Sequence, residues 1–83
     1  MNMRGAFKET LDLARTRGFA DQELTGFEIE GCTFSHLESM YARITDDFSE
    51  GKLGRWLGWA QCVVVMCGLA SLEEMKQLNR RYS

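Results

Sequence analysis

Side chains able to do covalent or metal chemistry are few in this sequence: three cysteines, Cys32, Cys62 and Cys67, and a single histidine, His36. Three thiolates and one imidazole could in principle hold zinc. Structural zinc sites, however, pair ligands across about two to four residues of a tight turn, whereas Cys62 and Cys67 are five apart in a stretch that reads as helix. Five helical steps turn the side chains apart by about 140°, so the two sulfurs diverge. No metal and no other cofactor is expected. Cys32 and His36, four apart, would make a nucleophile and base only with a third group to orient the imidazole and donors for an oxyanion, and neither is recognisable. The chain therefore reads as non-enzymatic, with no catalytic residue. An odd cysteine count, with Cys62 and Cys67 inside an apolar run, argues against a disulfide framework and for thiols packed as small hydrophobes in a reducing compartment. The N-terminus has no apolar h-region, which makes the cytoplasm the expected location.

Charge offers two weaker features. Asp46, Asp47 and Glu50 form an acidic edge that suits a basic partner surface, against the ordinary reading of a solvated face. Lys76, Arg80 and Arg81 form a basic C-terminal group, the basis for an alternative function as a small nucleic-acid-associated regulator. A formal charge of −2 and a pI near 5.3 lack the positive excess that phosphate binding uses, so nucleic acid is the disfavoured partner.

The most informative stretch is Lys52 to Cys67. On a helix, Leu53, Trp56, Leu57, Ala60, Val63, Val64 and Cys67 make one face, while Arg55, Trp59, Cys62 and Met66 make a second. Two apolar stripes need two neighbours. Either the other helices enclose both, or part of the second stripe stays exposed as a docking surface anchored by Trp59 with Arg55 beside it, residue types enriched at binding hot spots. A homodimer through the same stripe is a variant of the second case. Membrane insertion is disfavoured: Trp56 to Ala70 covers about 22 Å of a hydrocarbon layer of about 30 Å. Gly54 and Gly58 would let another helix approach closely, or keep the start of this helix clear of the preceding loop.

The elements that must position these residues are helical. With 83 residues the chain has room for one domain, residues 1–83, and can bury about 60% of its unfolded surface. A composition 45% hydrophobic and 27% charged excludes intrinsic disorder. Met3, Phe7, Leu11 and Ala14 predict a first helix from Met3 to Arg17, capped by Gly18, with Phe19 folding back near Ala14. In residues 20–32, Ala20 to Thr25 could form one helical turn stopped by Gly26, while Phe27-Glu28-Ile29-Glu30 alternates like a short strand; a lone strand has no partner here, so an irregular, ordered loop pinned by Phe27 and Ile29 is expected. Thr33 or Ser35 caps a second helix whose apolar stripe is Phe34, Leu37, Met40, Tyr41, Ile44 and Phe48, ending at Ser49-Glu50-Gly51. The central helix follows, stopped by Gly68. Ser71 and Glu74 then open a last helix whose face is Leu72, Met75, Leu78 and Tyr82. The expected fold is all-α: a compact four-helix domain.

The string Arg55-Trp56-Leu57-Gly58-Trp59-x-Gln61, an apolar helix, and Leu72-Glu73-Glu74-Met75-x-x-x-Asn79-Arg80 resembles small orphan proteins of phage and prophage early regions. Residues 1–30 carry no such pattern. The resemblance implies an accessory protein that binds and redirects a host protein, as inhibitors of host defence do, and it transfers no catalytic residue.

Overall fold

The computed structural model describes residues 1–19 and 31–83. The expected turn at 20–25 and the Phe27 and Ile29 pins lie outside the described residues. The described residues form four helices and no strand: α1 (Met3–Thr16), α2 (Phe34–Ala42), α3 (Glu50–Met66) and α4 (Leu72–Arg81). The expected all-α four-helix class holds.

Each start has a side-chain cap that satisfies an otherwise orphaned amide. Asn2 accepts from Gly5 N–H, Thr33 from His36, Ser49 from Lys52 and Ser71 from Glu74. Of the two candidates for α2, Thr33 is the cap. At α4 the capping box is complete, with Glu74 reaching back to accept from the Ser71 N–H at 3.1 Å. The end of α3 is a full Schellman motif: Gly68 at φ +75° donates to Val65, and Leu69 donates to Val64 before turning its side chain into the core. Gly18, at φ +90°, closes α1 as expected, and the enclosed Phe19 packs its ring on Phe34 at 5.4 Å.

Three expectations about the elements are corrected. The second helix does not run to Phe48. It stops at Ala42, and Ile44 and Phe48 reach the core from a turn. Thr45 and Asp47 bond to each other through their side chains, the local competition by which such residues leave a helix. Ser49, read as part of a break, is instead the cap that starts α3 two residues earlier than expected. The hub of the fold is also α1 rather than the greasy α3. The main packings are of α1 against α3, α2 and α4, through the buried Ala6, Phe7, Thr10, Leu11 and Ala14. With α1 at the centre, α3 packs mainly against α1 among the described residues.

Long-range polar contacts tie α4 to α1. Arg17 clamps Glu74 with both terminal guanidinium nitrogens, at 3.0 and 2.6 Å, and also donates to the Leu69 carbonyl. Arg81 pairs with Glu9 at 2.7 Å, and the Asn2 amide donates to the Tyr82 carbonyl. No described helix is long and apolar enough to cross a membrane.

Candidate protein-docking surface

Helix α3 sorts its side chains as the two-stripe pattern requires. Leu57, Ala60, Val63 and Val64 are buried, with Leu53, Trp56 and Cys67 half-buried beside them. Arg55, Trp59, Cys62 and Met66 are exposed, Trp59 to 43% and Met66 to 52%. Cys62 is thereby corrected from an expected buried packing residue to an exposed thiol, its sulfur 3.7 Å from that of Met66. Cys32 does pack inside, and burial pushes the Cys67 thiol up.

Beside this strip, α3 and α4 leave a groove of about 320 Å³, lined by Gly58, Cys62, Val65 and Met66 on one wall and Leu72, Met75 and Lys76 on the other. Its walls are apolar and Lys76 is their one charge among the described residues. Leu72, expected on the core face of α4 with Met75 and Leu78, is instead the first residue of that helix and 63% exposed, lining the groove. Gly58 opens the groove further: a β-carbon there would meet nothing within 4 Å, so in this protomer the glycine accommodates no neighbouring helix. Gly54, by contrast, lies against Met3.

The groove floor is polar and satisfied. Gln61 and Asn79 exchange two amide hydrogen bonds, 2.8 and 3.0 Å, and Gln61 also donates to Thr10, whose hydroxyl donates to the Ala6 carbonyl. This chain fixes the spacing of α3 and α4 over α1, because each amide would otherwise be left with an unpaired buried group.

Cys62 and Met66 thus meet in the groove, while Arg55 and Trp59 continue the strip toward the start of α3. Trp59 is oriented rather than loose: its indole N–H donates to the Gly31 carbonyl at 3.0 Å. The acidic edge sits apart, at the α2–α3 corner. There Asp46 pairs with Arg4 at 3.3 Å, Glu50 lies in the first turn of α3, and the Asp47 carboxyl is held below its usual range by the Thr45 hydroxyl and its own amide. Nearby, Phe48 and Trp56 stack edge to face, with Lys52 over both rings and Arg43 over Trp56. Of the basic C-terminal group, Arg81 is engaged by Glu9, leaving Lys76 and Arg80 without an ion pair among the described residues. Among those residues no cluster of histidine, cysteine and acids could hold a metal.

The residues that sequence reasoning missed are Val65, Leu72 and Met75. The spacing of Leu72 and Met75 marks a helical face but not which half of it is uncovered. Comparison with known protein families, with curated proteins and with solved structures finds no match.

Proposed function

We propose that this chain is a small non-enzymatic protein-binding module that docks a partner protein along the exposed strip of α3 and the adjoining α3/α4 groove. The observation that carries the reading is that Trp59 and Met66 on α3 and Leu72 at the start of α4 are all large, apolar and exposed, while Leu57, Ala60, Val63 and Val64 on the other face of α3 are buried. A tryptophan anchored by one hydrogen bond, next to a groove lined by methionine and leucine, has the composition of a hot spot beside an adaptable pocket. The resemblance of Arg55 to Arg80 to phage early-region proteins makes a host protein the proposed partner, and modulation or inhibition of it the proposed activity.

The test is capture of a partner from the native host by the wild-type chain, compared with Trp59→Ala and Met66→Glu, with folding followed by circular dichroism. Both variants should keep their helical signal and lose affinity by about tenfold or more. Undiminished capture by both would overturn the assignment of this face.

A further inference from the structure

The charges of α4 are arranged by sign along its length: Glu73 and Glu74 in the first turn, Arg80 and Arg81 in the last. Glu74 is consumed by Arg17 and Arg81 by Glu9. Among the described residues this leaves Glu73 at one end and Lys76 and Arg80 toward the other outside any ion pair, with Glu73 accepting only from Gln77. On a helical wheel Glu73 and Arg80 lie on the outer side of the groove wall formed by Leu72, Lys76 and Asn79. One exposed edge therefore carries a negative end beside a projecting leucine, and a positive half beside an apolar recess.

Turned end for end, that edge complements itself. We propose that the α3/α4 face also accepts a second copy of this chain, with the two α4 helices antiparallel about a two-fold axis. Leu72 of each protomer then enters the other's groove, and Glu73 of each faces Lys76 and Arg80 of the other. The proposal rests on reading this face as a docking surface and names one occupant for it. Isologous contacts pair each residue type with its complement twice, so a surface with both plug and socket on one helix closes as a dimer and does not propagate. The absent side chain at Gly58 gives the facing helix room for close approach. The antiparallel arrangement also sets each helix N-terminus against the other's C-terminus, which the peptide dipoles favour.

Sedimentation of the purified chain over a concentration series tests this. The wild type should pass from monomer to dimer. Leu72→Glu, at an exposed first-turn site that tolerates an acid, should weaken dimerisation by about tenfold or more. Glu73→Lys, and separately Lys76→Glu with Arg80→Glu, should each weaken it through like-charge opposition, and the three charge reversals combined should restore it. A monomer at every concentration, a dimer indifferent to these changes, or failure of the combined reversal to restore it would each overturn the proposal. A chain that stays monomeric while Leu72→Glu abolishes capture of a host partner overturns self-association alone. A Leu72→Glu chain unchanged in both assays overturns the docking surface as well.

Discussion

The cysteines show how far residue type leads and where it stops. Their odd number and apolar setting indicate free thiols, but only the placement of α1 decides which of them is covered. Alkylation under native conditions should modify Cys62 first, Cys67 more slowly because its thiolate is disfavoured by burial, and Cys32 last; mass mapping of the adducts checks the order. Gln61 is a second case. A glutamine in an apolar run signals a solvent-facing break or a buried partner, and its partners Thr10 and Asn79 are far away in sequence, so spacing could not name them. Gln61→Leu removes both bonds to Asn79 and should cost about 1–3 kcal/mol in urea unfolding. Gly58→Ala acts in the opposite sense. With open space at the β-carbon and a helical backbone, it should raise stability by about 0.5–1 kcal/mol while narrowing the groove mouth. Trp59→Ala should cost only about 1–2 kcal/mol, because nearly half the ring is already in solvent and one hydrogen bond is lost.

At the scale of the elements, capping chemistry was legible at Thr33 and Ser71, where a short polar residue precedes a clear apolar repeat, but not at Ser49, which reads as a break. Ser71 with Glu74, the Gly68 stop and the α1 span follow from local rules that tertiary structure did not override. The Phe34 to Phe48 stripe misled because Ile44 and Phe48 occupy core positions that a turn satisfies as well as a helix does. Burial of a side chain constrains where it ends, and leaves open the backbone that brings it there. The join between α1 and α4 has a clear pH signature. Arg17 and the Ser71 amide pull the Glu74 carboxyl down to about 2 from its ordinary 4.5. A depressed carboxyl contributes stability above its unfolded value, and that contribution is lost as pH falls from about 4.5 through about 2. Acid unfolding of Glu74→Gln should therefore show a shallower slope across that window than the wild type, with the two curves parallel near neutrality.

For the molecule as a whole, the amount of apolar surface on the third helix was readable from sequence, but the identity of the central helix was not. The most apolar helix is the natural candidate for the middle of a bundle. Here the amphipathic α1 takes the centre, since its small residues Ala6 and Ala14 admit close neighbours and its single stripe is wide enough to serve α2, α3 and α4. The surplus on α3 is consequently left outside. Phe7→Ala, at the fully enclosed centre, should cost about 3–5 kcal/mol, enough to leave so small a domain largely unfolded at ambient temperature by circular dichroism.

The two tryptophans, three positions apart, sit in opposite surroundings: Trp56 wedged against Phe48 beneath cations, Trp59 half in water and tethered to Gly31. They form an intrinsic optical pair. With Trp59 replaced by phenylalanine, emission tracks the integrity of the α2–α3 corner. With Trp56 replaced, emission is red-shifted and open to iodide quenching, and it moves to shorter wavelength when anything settles on that side of the molecule.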